Sequence, residues 1–291
     1  MVSVHEDQAE GLRRMLSFSR ARTVAVVAGT RGAGATSCVV NLAAALARQG
    51  SRVLVVDENF EPNVARALGV RMRWDLKHVI SGACGLDDAL VQGPGGVRLL
   101  AAALAARALP NLDVQGQERA VECFAQLDEG ADIVLLDARN DAPEPSPLAA
   151  AAQEVILVVS PGSSSITGGY AAVKSMSRTH GRKRFRLLVN RAAGPDVARL
   201  VEANMQHVAR KHLDVALEVM DAIPQDPAVL VSSRRFSAAV EAAPTAAASR
   251  RFCDHAATML RWSAPQDDVS RLDTFMQRAI YGSRLQAAAG A

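Results

Sequence analysis

The sequence predicts an α/β protein of three layers, a doubly wound and mainly parallel sheet with helices on both faces. Three observations lead there. From Thr23 onward, short runs rich in valine, leucine and isoleucine alternate with longer stretches of helical periodicity. Several of these runs are apolar throughout, as strands buried on both faces must be. The first run also feeds a glycine-rich turn that opens into a helix.

Taken in order, Glu6 to Leu16 is a helix-compatible lead segment, and strands are expected at Thr23 to Ala28, Arg52 to Asp57 and Val97 to Ala101. Further strands are expected at Asp132 to Asp137, Glu154 to Ser160, Phe185 to Asn190 and Val215 to Met220. Helices fit Thr36 to Gln49, closed by Gly50, and Ser164 to Thr179. A proline-rich loop, Ala142 to Pro147, and a low-complexity connector, Ala242 to Ala248, punctuate the chain. After Pro265 a last helix is expected over Asp267 to Leu285. The resulting division is an N-terminal arm (1–22), one α/β domain (23–263) and a C-terminal amphipathic helix with its tail (264–291).

Composition narrows the function classes. A chain of 291 residues that is 49% hydrophobic can close one large core. Its 33 basic and 30 acidic residues leave a formal charge of +3, too weak a field to imply direct nucleic-acid binding. Cys38, Cys84, Cys123 and Cys253 form no CxxC pair and read as small core residues of a reducing compartment. His207 and His212 are five apart, a spacing that does not stack two metal ligands on one helical face. The acidic N-terminus is unlike a signal peptide, and no run reaches the ~18 apolar residues of a spanning helix. A cytoplasmic or peripheral protein is expected.

The segment VAVVAGTRGAGATS fits the pattern GxxxxGK[ST], with Gly29 and Gly34 in register and Thr36 at the hydroxyl position. Residues Gly29, Thr30, Arg31, Gly32, Ala33, Gly34, Ala35, Thr36 and Ser37 are therefore expected to hold phosphates through backbone N–H groups at a helix N-terminus. The bland alternative is a turn that merely joins strand to helix, as in any doubly wound fold. Where the pattern demands lysine the chain has Ala35, which removes a charged hydrogen bond worth ~1.5–3 kcal/mol.

The stretch VAGTRGAGATSCVVNLAAALARQGSRVLVVDENFEPN, together with ADIVLLDA, LLVNR and DAIPQDPAV, resembles the MinD/ParA family of P-loop NTPases from about Thr23 to Ala243. The resemblance implies ATP or ADP with magnesium, with Thr36, Asp57 and Asp137 near the ion and Asn190 and Arg191 at the base. It also makes Asp57, Asn59 and Asp137 the candidates for hydrolysis, and makes a homodimer an expectation. The chain departs from the family in several places. The signature lysine falls at Thr30, beside Arg31. The DxD switch reads Asp57-Glu58-Asn59, and an amide cannot accept the proton of an attacking water. A glycine turn after the second carboxylate is replaced by Ala138-Arg139-Asn140-Asp141. Impaired hydrolysis is expected, because phosphoryl transfer depends on positioning and charge.

Two further segments resemble the flagellar-number regulators of the FlhG/FleN kind. SSSITGGYAAVKSM is similar to their ITDAYALIK helix, and Asp7, Gln8, Ala9, Leu12 and Arg13 match the DQAxxLR element with which they stimulate the GTPase FlhF. An ordinary amphipathic helix reads the same way. The resemblance implies an FlhF-like GTPase, a flagellar C-ring component and a flagellar transcriptional activator as partners. It also suggests weak membrane contact at the inner membrane or cell pole through Leu272, Phe275, Met276 and Ile280 of the last helix; a helix folded back on the core would show the same stripe. An active ATPase for polar positioning and a pilus-localisation protein of the TadZ/CpaE kind remain as alternative readings.

Overall fold

A computed structural model describes residues 21–61, 63–139, 145–262 and 271–289. The arm residues Asp7, Gln8, Ala9, Leu12 and Arg13, the first half of the proline-rich loop (142–144), and the pair Asn140-Asp141 lie outside the described residues.

In chain order the described elements begin with β1 (Arg22–Ala28), α1 (Ala35–Arg48), β2 (Val53–Asp57), α2 (Asn63–Ala67), α3 (Leu76–Ile80) and α4 (Leu86–Ala89). There follow β3 (Val91–Gln92), β4 (Arg98–Ala101), α5 (Ala103–Ala108), α6 (Val114–Asp128), β5 (Ile133–Asp137) and α7 (Pro147–Ala151). The second half holds β6 (Glu154–Val159), α8 (Ser163–His180), β7 (Arg184–Ala192), α9 (Pro195–Leu213) and β8 (Ala216–Pro224). It closes with α10 (Pro227–Arg234), α11 (Ala239–Ala242), α12 (Ala247–Leu260) and α13 (Leu272–Ala289).

One sheet runs in the order β3-β4-β2-β5-β1-β6-β7-β8. Its pairings are parallel except β3 with β4, which is antiparallel. The two-residue β3 escapes the sequence reading because it is too short to show a period. Alternate side chains of each strand enter opposite cores: Val53 and Val55 of β2 face α1 and α12, whereas Leu54 and Val56 face α6, α8 and α13. The chain leaves β1 towards β2 on one side, while β6 lies on the other. The carboxyl end of β1 is therefore a topological switch point, where open α/β sheets bind ligands.

The last helix corrects an expectation. Leu272, Phe275, Met276 and Ile280, the stripe expected to meet lipid, are buried in the same core as Phe124 and Leu148. Phe275 packs on Phe124 with ring centroids 5.6 Å apart, and Arg284 donates to the Leu112 carbonyl at 3.0 Å. The stripe faces the domain because α6 and α7 offer it an apolar surface, and burying each large side chain gains ~1.5–3 kcal/mol. The described part of that segment, α13, thus packs into the core of the α/β domain.

Phe275→Ala should destabilise the protein by about 3–5 kcal/mol, read as a lowered denaturation midpoint in urea. A side chain held outside the core would leave the midpoint unchanged.

Candidate functional site

The loop from Gly29 to Ser37 sits at the carboxyl edge of β1, where its backbone is held by close contacts. Gly29 N–H donates to the Val158 carbonyl of β6 at 2.8 Å. A Cβ on Gly29 would lie 2.4 Å from the Ser165 carbonyl oxygen, and one on Gly168 would lie 1.8 Å from the Gly29 oxygen. Helix α8 therefore presses on the loop at a glycine-to-glycine contact that no side chain can enter.

The loop's far end is equally constrained. Gly34 has φ 95°, and a Cβ there would lie 2.3 Å from Asn190 Nδ2. Asn190 Nδ2 donates to the Ala33 carbonyl at 2.9 Å, and the Arg191 guanidinium donates to the Gly32 carbonyl. Register shifts in β7 after Leu188 turn these two residues towards the loop. The resemblance implied base contacts for Asn190 and Arg191; both residues hydrogen-bond to carbonyls of the loop. The first bond of α1 runs from Cys38 N–H to the Gly34 carbonyl at 2.9 Å. The N–H groups of Ala35, Thr36 and Ser37 precede it and are the free donors of a helix N-terminus.

Beside the loop lies a cavity of about 460 Å³, whose walls include Arg31, Thr36, Asn63, Arg66, Val229 and Phe236. It is polar at the loop and apolar at α10, as a ligand with a charged end and a flat end requires. Ala35 also lines it, so the position of the missing lysine faces the cavity.

Below the loop the two acidic strand ends meet. Asp57 and Asp137 are register partners across β2 and β5. Thr36 Oγ1 donates to Asp137 Oδ2 at 2.8 Å, joining the hydroxyl and carboxylate positions of the motif. Asn59 sits between the carboxylates: its Nδ2 is 2.9 Å from Asp57 Oδ1 and 3.2 Å from Asp137 Oδ2, and its N–H donates to Asp57 Oδ1 at 3.0 Å. Asp57 Oδ2 accepts from Val64 N–H at 2.8 Å, which ties β2 to the start of α2. Burial raises the pKa of both carboxyls, and the negative field of Asp57 raises that of Asp137 further.

Asp57, for which the resemblance implied a place near a magnesium ion, accepts through both oxygens from Asn59 and Val64. Among the described residues no group of three or more His, Cys, Asp or Glu side chains is arranged to hold a metal. Thr36 Oγ1 gives its hydrogen to Asp137 and keeps its oxygen lone pairs, so Thr36 could hold a magnesium ion beside a bound phosphate, with Asp137 behind it.

Sequence reasoning gave Glu58 no role. It is fully buried, accepts from Ser146 Oγ at 2.7 Å and from Arg139 N–H at 3.1 Å, and its own N–H donates to the Asp137 carbonyl at 3.1 Å. It thereby joins the end of β2 to the segment after β5. Burial pushes its carboxyl up to about 7. The available signal was strand alternation, which turns the residue after a buried Asp57 to the opposite side of the sheet.

A raised carboxyl pKa contributes stability at low pH that is lost as pH rises through the folded value. The melting temperature should therefore fall as pH rises from about 4.5 to about 7. In Glu58→Gln, whose amide can keep both partners, the fall should be smaller by on the order of 1–3 kcal/mol at pH 8, measured by thermal melts across pH.

Comparison with known proteins agrees with this geometry. The CobQ/CobB/MinD/ParA nucleotide binding domain matches residues 24–237. Antiactivator FleN of Pseudomonas aeruginosa is 34% identical over 271 residues, which are 92% of this chain and 97% of FleN. The chromosome-partitioning ATPase Soj of Thermus thermophilus is 36% identical over 150 residues, 48% of this chain and 55% of Soj. Among solved structures, the MinD cell division protein of Aquifex aeolicus superimposes with a TM-score of 0.66 at 22% identity, covering 85% of this chain and all of that one. MinD of Pyrococcus horikoshii complexed with Mg-ADP gives 0.61 at 23% identity, covering 83% of this chain and 96% of that one. With a three-layer sheet, a phosphate-loop turn at its switch point and a match along nearly its whole length, the chain belongs to the CobQ/CobB/MinD/ParA nucleotide-binding family and is a homologue of the antiactivator FleN.

Proposed function

We propose that this protein regulates flagellar number and placement as FlhG/FleN proteins do, and that it acts through its contact surfaces rather than through rapid turnover of ATP. One observation carries the reading. The similarity to FleN spans 97% of that relative, yet the phosphate loop presents Ala35 to its cavity where the motif has lysine. The cavity and the helix N-terminus support weak binding of ATP or ADP as a structural ligand. Arg31, at the cavity wall, is the nearest candidate for the missing charge.

On this reading Asp7, Gln8, Ala9, Leu12 and Arg13 form the sequence element that stimulates an FlhF-like GTPase. A C-ring component, a flagellar transcriptional activator and a second copy of the chain are the further partners that the homology supports. The described helices include none long and apolar enough to cross a membrane. Contact with a lipid surface at the inner membrane or cell pole would need α13 to leave the core. A working ATPase for polar positioning is the competing reading.

A peptide spanning Met1 to Arg20 should stimulate the GTPase activity of an FlhF-like protein, and the same peptide with Asp7→Ala and Gln8→Ala should not. Equal rates with and without the intact peptide would remove the flagellar activator role. At the loop, Ala35→Lys should tighten ATP binding by ~10 to 100-fold in calorimetry. Unchanged affinity would mean that the cavity does not take the phosphates, and wild-type hydrolysis at a rate that Ala35→Lys does not raise would favour the working ATPase.

A further inference from the structure

We propose that the N-terminal arm docks on its own domain, its acidic half lying in a basic groove between the start of β7, the end of α8 and α13, so that the arm is masked until a partner displaces it.

The groove lies at the amino edge of the sheet and has a volume of about 580 Å³. Its charged wall is Arg182, Lys183, Arg184 and Arg278, and Glu154 is the one acidic residue among those that line it. Glu154 is already held by Arg186 at 3.0 Å. Arg182 donates to the carbonyls of Ala150, Ala152 and Gln153, which fix the guanidinium without cancelling its charge. Burial lowers its pKa to about 10 against the opposing field of Glu154, and the charge of Arg278 lowers it further. Lys183 and Arg184 pair with Asp214 and Glu218 at the surface, where such pairs exchange at little cost. An anionic occupant therefore relieves repulsion between cations that are already in place. The other wall is apolar: Tyr281 and Leu285 stand 67% and 54% exposed on a helix whose opposite face is buried.

Position and charge make the arm the occupant. The described chain begins at Ala21, whose N–H donates to Asp128 Oδ1 at 3.2 Å. Two residues on, Thr23 exchanges hydrogen bonds with Gln153, which itself lines the groove. Strands β6 and β7 lie one and two places from β1, roughly 5 and 10 Å away. Ten residues of arm reach ~15 Å as a helix and ~33 Å extended, so the groove is within range of residues near position 10 in either form. Residues 1–12 hold Glu6, Asp7 and Glu10 with no lysine or arginine, whereas residues 13–20 hold Arg13, Arg14 and Arg20 with no acid. The acidic half is thus the half at the right distance from Ala21, and Val2, Val4 and Leu12 give it apolar groups to set against Tyr281 and Leu285. Tethering holds the local concentration on the order of millimolar, so a contact too weak for a free peptide fills the groove. Asp7 and Leu12 also belong to the element assigned above to GTPase stimulation, so docking withholds that element. This consequence rests on the flagellar reading; the docking itself does not.

Amide hydrogen exchange of residues 1–20 in the full chain, followed by mass spectrometry, tests the proposal. At low salt the arm should exchange at least ~5-fold more slowly than the free peptide Met1 to Arg20, and about 0.5 M NaCl should remove the difference. Lys183→Glu with Arg278→Glu, both at the surface, should release the arm. Adding Glu6→Lys, Asp7→Lys and Glu10→Lys to that variant should restore its protection. If the reversed groove does not fold, the salt series and the three arm substitutions alone, which should also release the arm, decide. A wild-type arm that exchanges like the free peptide, protection that survives groove reversal, or reversal of both sides without rescue would each overturn the proposal. Protection that rises with protein concentration would give the groove to the arm of a second copy. Groove reversal that leaves the arm unchanged but abolishes binding to phosphatidylglycerol vesicles would give it to lipid headgroups, and either result overturns docking within one chain. No GTPase enters the measurement, so failure of the peptide to stimulate one would sink the flagellar reading and leave this test standing.

Discussion

The contact on which the site depends is one between backbones, Gly29 in the loop against Gly168 in α8. A Cβ on Gly168 would lie 1.8 Å from the Gly29 oxygen, so neither residue can change without moving the helix or the loop. That contact, with Asn190 wedged at Gly34 on the other side, fixes the loop as a rigid turn before any ligand arrives. Preorganisation of this kind explains how the turn keeps the shape of a phosphate cradle after its lysine has gone. The shape is set by packing, and the charge was a separate component.

Beneath the loop, electrostatics follows from burial. Three carboxyl groups, Asp57, Glu58 and Asp137, lie at the ends of two central strands with almost no contact with water. Each is accommodated by donors supplied locally. Asn59 and Val64 serve Asp57, Thr36 and Asn59 serve Asp137, and Ser146 with Arg139 serves Glu58. Because these donors come from both switch segments and from α1, the acidic cluster holds three parts of the chain together.

The C-terminal helix shows how far a sequence pattern goes. Val269, Leu272, Phe275, Met276, Ala279 and Ile280 recur at helical spacing, and that spacing specifies an amphipathic helix without saying what its apolar face meets. Lipid and a complementary protein surface attract the same stripe. The outcome was decided by α6 and α7, whose apolar residues lie more than 100 positions upstream but on the same face of the sheet.

What the sequence by itself determined is therefore local and periodic. Buried parallel strands are continuous apolar runs, a strand-turn-helix with glycines at set intervals makes the loop with Thr36 at its hydroxyl position, and Asp57 and Asp137 were implied by the family resemblance. The structure agrees on the strands and the loop and brings the three side chains together at one end of the sheet, and the chain's family was legible from the same motifs. Tertiary structure alone decided which groups meet. Asn59 reaches between two carboxylates only because β2 and β5 are paired in one particular register. Glu58 is buried only because the segment around Ser146 covers it. Asn190 supports the loop because shifts in β7 turn it there. Such contacts join residues up to 157 positions apart, and no local spacing encodes a distance that only the packed sheet creates.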